Sequence, residues 1–144
     1  MDALLRAIVD DDRATVHDQL TADSSLVHAR VSEPRFYDQK IFHWLYVDDT
    51  ALHLAAAGYR VEIVKLLLDA GSDPSASLNH RHSGPLHYAA DGYIIGPAWD
   101  SERQVQTIEC LLAAGAGVNA QDKNGAARCT EQCVRDARRR PVSC

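Results

Sequence analysis

No stretch of the 144 residues comes near the roughly 18 consecutive apolar residues of a membrane span. The start, Met1-Asp2-Ala3, has no basic segment and runs on to Asp10-Asp11-Asp12, unlike a secretion signal. Cysteine is scarce. Four residues without a secretion context are expected to be reduced thiols rather than a disulfide framework, and the expected location is cytoplasmic. Catalytic signatures are missing too: there is no glycine-rich phosphate loop, no Gly-x-Ser-x-Gly elbow and no His-Glu-x-x-His. The acidic groups Asp10–Asp12 and Asp48-Asp49 flank helical patterns, where carboxylates complement the helix dipole, and do not read as a catalytic pair. Neither an enzyme nor a cofactor is expected. A net charge of −5 argues against nucleic acid as the main partner. With 46% hydrophobic and 24% charged residues, the chain has the composition of one globular domain.

What is present is a repeated pattern, clearest in Thr50–Pro74. Leu52, Ala55 and Ala56 give one helical stripe, and Val61, Val64, Leu67 and Leu68 give a second. Thr50 suits a helix N-cap, Gly58 separates the two patterns, and Gly71 stands where a left-handed stop is wanted. Two such short helices cannot bury their apolar faces alone. A weaker copy lies 48 residues upstream, where Leu4, Ala7, Val16 and Leu20 match Leu52, Ala55, Val64 and Leu68. Its more polar character, with Gln19 in place of Leu67, suits a terminal unit. Downstream, Gly84–Gly92 matches Thr50–Gly58 at an offset of 34, with Pro85 as a first-turn proline. Val105–Gly115 matches Val61–Gly71 at an offset of 44, so ten residues are inserted between these two helices. That insertion contains Gly96-Pro-Ala-Trp99.

The phrases Thr50-Ala-Leu-His53-Leu-Ala-Ala56 and Gly84-Pro85-Leu86-His87-Tyr-Ala-Ala90 resemble the Thr-Pro-Leu-His opening of ankyrin repeats. The first lacks the proline and the second the threonine. The closing phrases Gly71-Ser-Asp73-Pro-Ser75 and Gly115-Ala-Gly117-Val-Asn119 resemble the family's Gly-Ala-Asp-x-Asn. The resemblance implies an all-α, ankyrin-type α-solenoid of stacked helix–turn–helix units with β-turn or hairpin fingers. The ankyrin repeat domain then spans 1–125, with units at about 3–29, 49–75 and 83–119 and insertions at 30–48 and 93–104. Thr50, Leu52, His53, Gly58, Gly71, Pro85, Leu86, His87, Gly92 and Gly115 are its structural positions. His87 belongs to the turn, and His80 and His82 lack a spaced Cys or carboxylate to complete a tetrahedral set, so no metal site is expected.

Residues 126–144 break the pattern, carrying five arginines and two acids against −8 for residues 1–125. They read as an irregular Arg-rich tail. Alternatively, Ala127–Arg135 can be encoded so that reading two nucleotides later gives Pro-Leu-His-Arg-Ala-Val-Arg, the opening of a further repeat. The chain would then be a truncated piece of a longer ankyrin protein with its activity elsewhere. An uncapped end at this side would favour self-association.

Five of the nine aromatic residues fall in 30–49: Phe36, Tyr37, Phe42, Trp44 and Tyr46. Pro34 and the β-branched and aromatic run after Lys40 favour extended structure there. Long connections of this kind are commonly functional. The ankyrin resemblance implies that fingers and first helices line a concave face that binds another protein. Phe42, Trp44, Tyr46, Tyr59, Tyr88 and Tyr93 are the contact candidates for such a face. The expected function is non-catalytic protein–protein recognition. A metal- or redox-responsive role through His80, His82 and the cysteines is the remaining alternative.

Overall fold

The structure is a computed structural model that describes residues 1–37, 40–41, 43–90 and 100–117. Phe42, Gly92, Tyr93 and Trp99 lie outside the described residues, as do the tail and the self-association expected of it.

Helices α1 (Asp2–Val9) and α2 (Arg13–Ala22) are followed by a 3₁₀ turn, Ser24–His28. A hairpin comes next, β1 (Arg35–Tyr37) and β2 (His43–Leu45). Two more helix pairs complete the order: α3 (Ala51–Ala57) with α4 (Val61–Asp69), and α5 (Pro85–Ala90) with α6 (Ser101–Ala113). Helix α3 packs on α1, α4 and α5, while α4 packs on α2 and α6. The result is two stacked layers of helices, as a solenoid requires. Helix α3 is enclosed on several sides, and each of its seven residues is buried. Its alanines Ala51, Ala55 and Ala56 allow that close approach. Helix α2, at the outer end, buries only Val16 and Leu20.

The helix stops repeat more faithfully than the sequence does. Gly71 donates to the Leu68 carbonyl and Ser72 to that of Leu67, both at 3.0 Å; Gly115 and Ala116 do the same to Leu112 and Leu111. These are paired 5→2 and 6→1 bonds around a left-handed residue, and they satisfy carbonyls that the helix leaves open. The φ values of Gly71 and Gly115 are 103° and 101°. The turns inside the first two pairs use the same bonds around Asp11 (φ 54°) and Tyr59 (φ 53°). Asp48 and His82, at φ 71° and 53°, form a second matched pair, each just before a first helix.

Gly58 is therefore not the left-handed residue of its turn; its φ is −91°. A Cβ added there would sit 2.7 Å from Ile41 Cδ1, so this glycine is required by the hairpin loop lying against it. Replacement Gly58→Ala should cost about 1–2 kcal/mol, the lower part of the overpacking range, because the end of the Ile41 side chain can yield. Urea unfolding checks this, and Ile41→Val in the same chain should return most of the loss.

Helix α6 begins four residues before the repeat spacing predicts. Ser101–Gln104, assigned above to the insertion, are helical because Asp100 accepts from the amides of Glu102 (2.9 Å) and Arg103 (3.1 Å). The hairpin segment is pinned at its base: Val31 donates to the Asp49 carbonyl (2.8 Å) and Asp48 to that of Val31 (2.9 Å).

Candidate functional site

The hairpin register pairs Phe36 with Trp44, and flanks them with Arg35–Leu45 and Tyr37–His43. Alternation along each strand therefore divides the aromatic residues between two faces. Leu45 is fully buried, and the His43 ring lies 4.7 Å from that of Tyr88 in α5. Phe36 and Trp44 point the other way and remain 42% and 48% exposed. Their rings are 5.2 Å apart, and Trp44 stacks on Tyr46 at 6.3 Å. The next loop continues the line: His80 meets Tyr46 edge-on at 5.1 Å, and the Arg81 guanidinium sits 5.3 Å from the Tyr46 ring centroid. Two fingers separated in sequence thus share one aromatic ladder.

Behind the ladder is a carboxylate with no exposure, Asp49. It accepts from the Tyr46 amide (2.8 Å), from Asn79 Nδ2 (2.6 Å) and from the Tyr88 hydroxyl (2.5 Å). Asn79 is itself fully used, donating to the Ser83 carbonyl (2.7 Å) and accepting from the amides of Arg81 (3.0 Å) and Ser83 (3.1 Å). One anion therefore fixes the exit of the first finger, the shape of the second and the position of α5. Burial, with Asp49 beside it, raises the Tyr88 phenol well above its ordinary range, so its O–H remains a donor. Asp49 had been expected to complement the α3 dipole; it turns inward to these donors instead.

His53 completes the buried network. Its Nδ1 accepts from the Thr50 amide (3.0 Å), and its Nε2 lies 3.1 Å from the Ser83 carbonyl. Those partners assign the neutral tautomer with the proton on Nε2. Burial lowers the His53 pKa, and the proximity of Asp49 only partly opposes the shift. At the matching position His87 Nδ1 accepts from the Gly84 amide (3.1 Å). Leu52, Pro85 and Leu86 are buried beside these turns. Arg60, at the N-cap of α4, and Gln104, in the first turn of α6, occupy matching repeat positions and close open helix ends. Arg60 donates to the carbonyls of Val9 (2.7 Å) and Ile8 (3.3 Å), and Gln104 to that of Ala89 (3.1 Å). Neither residue stands out in the sequence, because each works by reaching a carbonyl distant along the chain.

The structure separates the contact candidates. Trp44 is on the surface and Tyr46 half-buried, whereas Tyr59 and Tyr88 are core residues, 3% and 2% exposed. Tyr88 stands where the second unit has Leu54, which explains its burial. Phe36, His80 and Arg81 are ladder members that sequence reasoning did not select; the hairpin register and the second finger bring them there.

Beside the hairpin runs an open groove of about 850 Å³ lined by Asp2, Arg6, Asp10, Arg35, Phe36 and Lys40, among others. Arg35–Asp2 (2.7 Å) and Lys40–Asp10 (2.6 Å) bridge it, as exposed pairs that contribute little to stability. Among the described residues, no three His, Cys, Asp or Glu side chains converge as metal ligands, and no helix is long and apolar enough to cross a membrane.

Residues 25–122 match a family model described as ankyrin repeats in three copies. An ankyrin repeat protein of Acanthamoeba polyphaga mimivirus is 34% identical over 67 residues, covering 46% of this chain and 10% of the relative. The chain spans about a tenth of the length of that curated relative.

Proposed function

Because this chain belongs to the ankyrin repeat family, we propose that it recognises a partner protein, without catalysis, through the Phe36–Trp44–Tyr46 ladder and the adjoining groove. The exposure of Trp44 in a ring stack held from behind by Asp49 carries this reading. Among the described residues the exposed large hydrophobics are Phe36, Trp44, Val47 and Leu78, and all four lie on the two fingers. Rigid aromatic side chains supply large contact area at small entropy cost, which is why Trp and Tyr dominate binding hot spots. Of the carboxylate–imidazole pairs among the described residues, Asp49–His53 is sealed from solvent, and His17–Asp18 is a pair of chain neighbours open to water on the outer helix. These features support recognition over chemistry.

The test begins with capture of a partner on the intact chain, identified by mass spectrometry. Trp44→Ala and Phe36→Ala should each weaken its binding by about tenfold or more, the loss expected of hot-spot aromatics. Helix content should stay unchanged and melting temperature should change little, since both rings lie outside the core and are nearly half exposed. Capture that is indifferent to Trp44 would remove the ladder from the interface.

A further inference from the structure

We propose that the ladder takes an extended peptide segment with an apolar side chain laid on Trp44 and a carboxylate received by Arg81. The inference rests on the ladder being the contact surface. Arg81 stands where the line of rings ends, half-buried, with its guanidinium against the Tyr46 ring at 5.3 Å. Among the described residues its side-chain hydrogen bond is a long one, 3.5 Å from Nη1 to the Tyr46 hydroxyl. Among the described residues no carboxylate comes within ion-pair distance of it. The buried carboxylate of the network, Asp49, is already engaged by Tyr46, Asn79 and Tyr88. The backbone carrying Arg81 is fixed, because its amide donates to Asn79 Oδ1 at 3.0 Å.

A planar guanidinium with five donors and no carboxylate is an acceptor site for one, and matches it in two parallel bonds. The ladder supplies the other half of the recognition. Trp44 lies 6.3 Å from Tyr46, and Arg81 a further 5.3 Å beyond it at most. An extended chain advances about 3.3 Å per residue, so the apolar residue and the acid are about three positions apart. A phosphorylated segment fits less well, since phosphate recognition by arginine uses clusters, and among the described residues Arg81 is the one arginine set over a ladder ring. A single-stranded nucleic acid would stack on the rings too, but a polyanion meets a chain of net charge −5. One carboxylate in direct contact is far less sensitive to that distant charge.

Random peptides displayed on phage and selected on the intact chain test this, with the enriched sequences then synthesised and titrated. The expected winners pair an aromatic or aliphatic residue with Asp or Glu about three positions away. Arg81→Gln should weaken them about tenfold or more, and exchange of the peptide acid for its amide should do the same. Both changes together should lose little beyond either alone, the signature of a direct pair. Trp44-dependent peptides that ignore Arg81→Gln would overturn the carboxylate assignment and leave the ladder standing. Equal Trp44-dependent binding of oligothymidylate would replace the peptide by nucleic acid. Failure to enrich any peptide on folded protein would overturn both readings.

Discussion

Asp49→Ala should lower the unfolding free energy by about 3–5 kcal/mol, because it removes the shared acceptor of several buried donors. Three donors lose their acceptor at once: the Tyr46 amide, Asn79 Nδ2 and the Tyr88 hydroxyl. Each buried donor left unpaired costs about 1–3 kcal/mol, and water entering the gap recovers part of that. Domains of this size commonly have about 5–15 kcal/mol in total, so the variant would sit near the edge of folding. Asp49→Asn should fall between. Its amide oxygen can still accept, but its NH₂ group would face Asn79 Nδ2, now 2.6 Å from the carboxylate. Tyr88→Phe removes one donor and leaves the anion two, for a smaller loss of about 1–2 kcal/mol. Urea unfolding of the four proteins provides the measurement. An Asp49→Ala chain within about 1 kcal/mol of the parent would mean that the network contributes no more than an ordinary surface contact.

The same residue shows where sequence reading stops. The helix pairs are legible because their signals are local: apolar spacing near 3.6, glycine at the stop, proline in the first turn. Asp48 and Asp49, by contrast, are two adjacent acids with identical local character. One turns at φ 71° and stays half-buried, and the other enters the core with no exposure. The difference is made by the hairpin, whose Tyr46 amide returns to Asp49, and by Asn79 thirty residues on. Tyr59 and Tyr88 fail for a related reason. An aromatic side chain looks alike in sequence whether a neighbour covers it or not, and here both are covered. For Tyr88 the signal was present, since the repeat offset places it on Leu54, a core position.

The candidate site was half legible. Concentration of aromatics before the central repeat pointed to the finger, and Trp44 and Tyr46 are in its ladder. Phe36 joins through a cross-strand pair, and His80 and Arg81 through a second finger, so only tertiary structure unites them. Asp100 shows the opposite case. Its capping of α6 is local, so Asp-Ser-Glu carries the signal for a helix start at Ser101, which the repeat spacing alone sets at Val105.

Acidification should destabilise the fold through His53. Its imidazole is enclosed with Nδ1 accepting from the Thr50 amide, so a second ring proton would put donor against donor. Burial lowers the folded-state pKa below the ordinary 6.5, whereas the unfolded chain exposes a normal imidazole. Below that value the unfolded state binds the extra proton, and stability falls as the pH falls. The contribution is fully present above the unfolded pKa and is lost on descent towards the folded one. The loss approaches about 1.4 kcal/mol per pH unit between the unfolded pKa and the folded one, and ceases below the folded one. His53→Gln carries an amide that can still accept from Thr50 and does not titrate. It should be less stable at neutral pH and lose less stability than the parent between about pH 7 and about pH 5. Chemical unfolding of both proteins at the two pH values isolates His53 from the other histidines, which the two share. Parallel losses in parent and variant would show that His53 does not resist protonation, and that the buried turn opens to admit the charge.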